Sequence, residues 1–122
     1  MLKLIFCLHR LPALSADEFR HYWLDTHGPL VRRHAGVLRI ARYVQSHGLG
    51  GPVDEGLRAS RGAPAGYDGV AELWWESAED FAAATASPEG RAASLALLED
   101  ERRFIDLARS PLFVVEERAL IG

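Results

Sequence analysis

Between Ser15 and Leu30 the chain reads Ser-Ala-Asp-Glu-Phe-Arg-His-Tyr-Trp-Leu-Asp-Thr-His-Gly-Pro-Leu. Ser15 and Glu18 have the S-x-x-E spacing of a capping box, in which the serine accepts from an early backbone N–H and the glutamate reaches back, so a helix starts here. Behind the cap, Phe19, Trp23 and Leu30 recur at helical offsets, within roughly 40° of one another at about 100° per residue, and define a buried stripe. Gly28-Pro29 then interrupts the helix, because proline disfavours helical geometry in the residue before it and has no N–H to bond back. The helix should end or kink beside His27 and resume briefly to about His34.

Upstream, residues 2–9 are almost continuously apolar and stop at Arg10-Leu11-Pro12, as a strand buried on both faces would. The run is too short, and too soon broken by His9 and Arg10, to be a signal peptide. Downstream, Val37 to His47 alternates as a long second strand, with Tyr43, Gln45 and His47 on one face. Residues 48–66 hold six of the 11 glycines and two prolines, and are expected to form a mobile or functional loop. Tyr67 to Glu76 reads as a third strand, with Gly69 marking a bulge or a close approach. Ser77 caps a short helix to about Ala86. Ser87-Pro88-Glu89 starts another that carries Leu95, Leu98, Arg102 and Ile105 as a stripe to about Ala108, and Leu112 to Leu120 is the last strand.

The order strand, helix, strand, strand, helix, strand is the α+β, ferredoxin-like βαββαβ plan: one four-stranded antiparallel sheet with its helices on a single face. At 122 residues, 48% of them apolar and 25% charged, the chain has the composition of one ordinary globular domain over residues 1–122. Yet the strands carry large apolar groups on both faces, and helices can cover only one. The bare face would expose on the order of several hundred Å² of apolar surface, and the simplest cover is a second copy of the same sheet. A homodimer packed sheet on sheet is therefore expected.

The formal net charge of −3, spread along the chain, argues against a nucleic-acid footprint or a polybasic membrane patch. Cys7, the only cysteine, permits no intrachain disulfide and sits in an apolar strand where its thiol is inert, which fits a cytoplasmic location. No metal site is expected, since the histidines include no H-x-x-x-H pair, and there is neither a G-x-S-x-G elbow nor a phosphate-binding glycine loop.

His27, at the edge of the apolar stripe beside the helix break, is the sharpest candidate for a general acid or base in a cleft between helix and sheet. The plain alternative is a part-buried imidazole bonded to a carbonyl at the kink. Tyr43 and His47 share a strand face and join His27 in an acid/base cluster if that face lies under the helix. Phe19, Trp23 and Trp75 supply apolar walls for an aromatic or lactone-like substrate. Asp68 reads as a turn former, and Asp100, between Glu99 and Glu101, as part of a solvated helix face.

The run Arg10-Leu-Pro-Ala-Leu-Ser-x-x-Glu-Phe-x-x-Tyr-Trp-x-x-x-His27-Gly-Pro-Leu, with Arg42-Tyr43-Val-Gln-x-His47, Tyr67-Asp-Gly-Val-Ala-Glu-Leu-Trp74 and Asp100-Glu-x-x-Phe104, resembles the EthD domain, a branch of the dimeric α+β barrel superfamily. The resemblance implies a ferredoxin-like protomer, a homodimer whose sheets close into a barrel, and a pocket for a small hydrophobic or aromatic ligand. It implies no metal or organic cofactor. In isomerase-like relatives a first-helix histidine and a second-strand tyrosine are functional, and His27 and Tyr43 match those positions; His47 lies near a third. The implied activity is cofactor-independent proton transfer of the isomerase, lyase or cyclase kind on an aromatic, polyketide or lactone substrate. A cofactor-free monooxygenase and a non-catalytic metabolite-binding protein are the rival readings.

Overall fold

The computed structural model describes all residues, 1–122. Its four strands are β1 (Leu2–Leu8), β2 (Arg42–His47), β3 (Gly69–Trp75) and β4 (Leu112–Val115), in the spatial order β2-β3-β1-β4 with every pairing antiparallel. The five α-helices are α1 (Ala16–Tyr22), α2 (Gly28–Leu38), α3 (Gly51–Arg61), α4 (Ala78–Ala86) and α5 (Pro88–Glu101). This is the expected α+β, ferredoxin-like architecture. The capping box at Ser15 forms as read, and Ser77 and Ser87 cap α4 and α5 through their side chains.

The Gly-Pro dipeptide does not stop the first helix. Trp23–His27 form one π-helical turn, closed by Gly28 N–H donating to the Trp23 carbonyl, and α2 continues directly with Pro29 in its first turn, where no N–H is needed. The wider turn takes up one extra residue. It keeps Phe19, Trp23, His27 and Val31 on the buried side, four residues apart each time, where a regular helix would let that row drift away by about 40° per step. Leu30, expected on the stripe, is only half-buried.

The helix then runs on to Leu38 and ends at Arg39 in the left-handed conformation (φ 56°), so β2 begins at Arg42 and not at Val37. Alternating residues before Arg42 looked like strand because an amphipathic helix end and a strand are hard to separate over so few residues. Residues 51–61, expected as loop, are helix α3. Pro52 lies in its first turn, Gly62 ends it at φ 60°, and Asp54 pairs with Arg58 one turn on at 3.1 Å. No residue of α3 is buried, and Leu49, Val53 and Leu57 are exposed.

Corrections also fall at the C-terminal end. The helix α5 stops at Glu101, β4 stops at Val115, and Leu95 is exposed. The inward face of α5 carries Gly90, Ala93 and Asp100, and the chain beyond it drops Phe104 and Ile105 into the core. That core lies between the helices and one face of the sheet, where Phe6, Leu8 and Ala71 meet Phe19, Trp23, Phe104 and Ile105. Gly69 marks a close approach: a methyl there would come within 2.5 Å of the Trp23 ring and 2.8 Å of the Ser46 carbonyl oxygen. Asp68, beside it, does more than turn the chain, since its carboxylate accepts from the Arg10 guanidinium at 2.5 Å and the Arg10 backbone N–H at 2.8 Å.

Candidate functional site

The π turn places His27 deep between helix and sheet, 5% exposed, with its ring against Phe104 at 4.9 Å. Its Nδ1 lies 2.7 Å from Oδ2 of Asp100 on α5. Asp100 is the main correction at the site, because it is buried and not solvated. The Tyr22 hydroxyl donates to its Oδ1 at 2.5 Å, and Arg103 donates to the same oxygen at 3.2 Å. Burial raises the carboxyl's pKa, but the donors Tyr22 and His27 outweigh it and hold Asp100 below the usual carboxylate range. An ionised Asp100 can only accept, so His27 carries its proton on Nδ1 and leaves Nε2 as a free lone pair. Burial pushes the imidazole below its ordinary pKa, against the pull of Asp100, so at neutral pH it is an uncharged base.

A second chain of hydrogen bonds runs along β2. Gln45 Nε2 donates to the Tyr43 hydroxyl oxygen at 2.8 Å and to the Trp23 carbonyl at 2.9 Å, while its Oε1 accepts from His47 Nε2 at 2.9 Å. With both amide hydrogens of Gln45 engaged, Tyr43 receives a hydrogen bond and its own O–H is left to donate elsewhere. Burial raises the phenol's pKa, only partly offset by Gln45, so it stays a neutral donor. His47 stacks on Trp23 at 4.4 Å between ring centroids; burial and the Arg20 charge hold its pKa down.

Two spaces meet at Tyr43. A cavity of about 40 Å³ is lined by His27, Tyr43, Trp23 and Glu101 among apolar side chains. An open groove of about 780 Å³ between α2 and β2 is lined by Tyr43, Gln45 and His47, with Pro29, Arg32 and Ile40. Tyr43 and Val31 belong to both. The expected cluster is thus divided: His27 with Tyr43 on the cavity, Tyr43 with His47 on the groove. Trp23 lines the cavity as a wall. Phe19 is fully buried in the core, outside both spaces. Trp75 is also outside both: it packs edge-on against Phe81 and donates to the Leu38 carbonyl at 2.8 Å, holding α2 to the sheet.

The sequence reading missed the parts that α5 and β2 supply. Gln45 and the pair Asp100-Glu101 both stand inside the motifs that carried the resemblance, which was the available signal. Composition hid Asp100, since three consecutive acidic residues at a helix end look solvated.

A family model, the EthD domain, matches residues 11–108, and the chain belongs to that family. Among solved structures it is similar to an ethyl tert-butyl ether D (EthD) family protein from Bacillus halodurans C-125 (TM-score 0.63, 19% identity), over 97% of this chain and 100% of that one. It is similar to a dimeric protein of unknown function and ferredoxin-like fold from Bacteroides fragilis NCTC 9343 (TM-score 0.59, 8% identity, 95% of each chain). It is similar, too, to a putative antibiotic biosynthesis monooxygenase from Deinococcus radiodurans (TM-score 0.53, 16% identity, 100% of this chain and 97% of that one). At such identities the likeness is one of fold. A search of curated proteins gives no significant match. No helix is long and apolar enough to cross a membrane.

Proposed function

We propose that this EthD-family chain is a cofactor-independent acid/base enzyme of isomerase or lyase type, acting on a small aromatic, polyketide-like or lactone carbonyl compound. The observation that supports it is the arrangement of His27. A buried neutral imidazole, its Nδ1 fixed by Asp100, shares a cavity with a tyrosine hydroxyl free to donate. His27 Nε2 would take a proton from carbon next to a carbonyl. Tyr43 would donate to the oxygen that gains charge as the enolate forms, and Asp100 would stabilise the imidazolium. Gln45 orients Tyr43, and His47 reaches Tyr43 only through Gln45, which makes it a positioning residue. The body of the ligand would lie in the α2–β2 groove, whose volume suits a small molecule.

The working unit would be a cytoplasmic homodimer. The bare sheet face supports it, with Ile5, Cys7, Val44, Val70, Phe113 and Val115 in register on the side away from the helices. Structural neighbours of the same fold are themselves dimeric.

The test is His27→Gln against a panel of enolisable lactones and aryl ketones, followed by proton exchange in deuterated water. The expected loss is at least a hundredfold in rate, with ligand affinity changed severalfold at most. Equal exchange rates in wild type and variant would leave a binding protein. Oxygen uptake with hydroquinones in place of exchange would leave an oxygenase.

A further inference from the structure

The cavity that His27 and Tyr43 share has a third polar wall, Glu101. It is the last residue of α5, one helical turn beyond Leu97, and that spacing brings both residues to the cavity. Asp100 precedes it, and successive helix positions diverge by about 100°, so the two carboxyls meet different surroundings. Asp100 turns to Tyr22 and His27 and is held by them. Glu101 lines the cavity together with Tyr43, Leu73 and Ile105, and no hydrogen-bond donor supports its carboxyl. The other elements packed around it, β1 with Phe6 and Leu8, β3 with Ala71 and Leu73, and α2 with Val31, contribute only apolar side chains. The charged and titratable groups near Glu101 are therefore His27, Tyr43 and its neighbour Asp100.

We propose that Glu101 is a second catalytic residue, a proton donor that faces the same cavity as His27, so that a proton removed from one carbon of the substrate is replaced at another. The proposal rests on the acid/base reading of His27 and narrows it to a substrate class: β,γ-unsaturated carbonyl compounds, whose double bond moves into conjugation. His27 Nε2 takes the proton from the carbon beside the carbonyl, and the C–H electron pair becomes a carbon–carbon π bond as the carbonyl oxygen becomes an enolate held by Tyr43. The electrons then return to re-form the carbonyl, the original double bond shifts one place, and the distal carbon takes the proton of the Glu101 carboxyl. Imidazolium and carboxylate are left, and proton transfer from His27 to Glu101 restores both.

The two groups are set oppositely for these roles. Burial keeps His27 uncharged as a base. Burial together with the Asp100 charge raises Glu101 from 4.5 to about 7, so an appreciable fraction is still a protonated acid at neutral pH.

The probe is α-angelica lactone, a five-membered lactone with an unconjugated ring double bond, followed by proton NMR in deuterated water. Loss of the signal beside the carbonyl reports proton removal; appearance of the conjugated lactone reports delivery to the distal carbon. In Glu101→Gln the ratio of conjugated product to exchange is expected to fall about a hundredfold, the usual scale of a lost general acid. Glu101→Asp is expected to recover part of it, and a thermal midpoint for Glu101→Gln at pH 6 no lower than that of the wild type excludes misfolding as the cause. An unchanged ratio in folded Glu101→Gln overturns the proposal, as does exchange without conjugation in the wild type, while both leave the role of His27 standing. Neither exchange nor conjugation in the wild type overturns the acid/base reading and this proposal with it.

Discussion

The two faces of the sheet are built by alternate residues of the same four strands, yet they are opposite in design. On the helix-covered face, Phe6, Leu8 and Ala71 pack with Phe19 and Trp23, and no side-chain nitrogen or oxygen sealed completely from solvent lacks a hydrogen-bond partner. Its polar groups, His27, Asp100, Tyr22, Tyr43 and Gln45, hold one another in fixed orientations. The other face has Lys3 bridging Glu72 at 3.1 Å, and Trp74 lying under both Lys3 and Arg42. Around these it presents Ile5, Val44, Val70 and Phe113 with no helix over them. The covered face invests polar groups in a low-dielectric interior, where they are strongly oriented and their proton affinities move. The bare face offers apolar area, which suits association and does little for chemistry.

The contrast breaks most severely at Asp100. Asp100→Ala would leave the buried Nδ1–H of His27 without an acceptor and the half-buried Tyr22 hydroxyl without its partner, and should cost roughly 3–5 kcal/mol in urea denaturation. A loss below about 1 kcal/mol would mean that the covered face does not depend on its polar network.

Glu101→Gln is expected to act in the opposite direction, and in a pH-dependent way. Its folded pKa, about 7, is raised above the ordinary 4.5, so the stability linked to its protonation is complete below pH 4.5 and gone above about pH 7. The variant lacks that slope. It should exceed the wild type by up to about 3 kcal/mol at pH 8 and match it near pH 4, at about 1.36 kcal/mol per tenfold change in proton affinity. His27 contributes the reverse slope in both proteins: its folded pKa is lowered, so its stability is present above pH 6.5 and is lost as pH falls. Parallel pH profiles would show that Glu101 is not desolvated.

The smallest effect on the protomer is expected on the bare face. Phe113 is half-exposed, and Phe113→Asp should alter the protomer's own stability by no more than about 0.5 kcal/mol. Light scattering should nevertheless move from twice the chain mass to 13.5 kDa. A variant that stays dimeric would place the interface elsewhere.

Much of the fold was legible because it follows from local signals. Ser15 with Glu18, Ser77 and Ser87 each announced a helix start through a side chain that caps nearby backbone, and the apolar runs of β1 and β3 announced strands. Failures came where a local rule met a local compensation. Pro29 looked like a stop but falls in a first turn, and the glycines at 50, 51 and 62 looked like loop but cap and open a helix that buries nothing. At the site, His27 and Tyr43 were visible as residue types at a suggestive spacing. Trp75 and Phe19 were not separable from true pocket walls, because whether a large apolar side chain faces a cavity or the core is decided by the element opposite it.

Sequence by itself determined the order of the four strands and of the helices that cover them, though not α3, the two-faced apolar character of the strands, and the presence of an imidazole and a phenol on elements that must pack together. These depend on periodicity, capping and composition within a few residues. Only the tertiary structure decided which groups give those side chains their chemistry. Asp100 meets His27 across a sequence separation of 73, and Glu101, one residue on, lines the cavity that His27 faces. Burial and charge, which set proton affinities, are properties of the space between elements, and that space exists only once α5 has closed over the π turn.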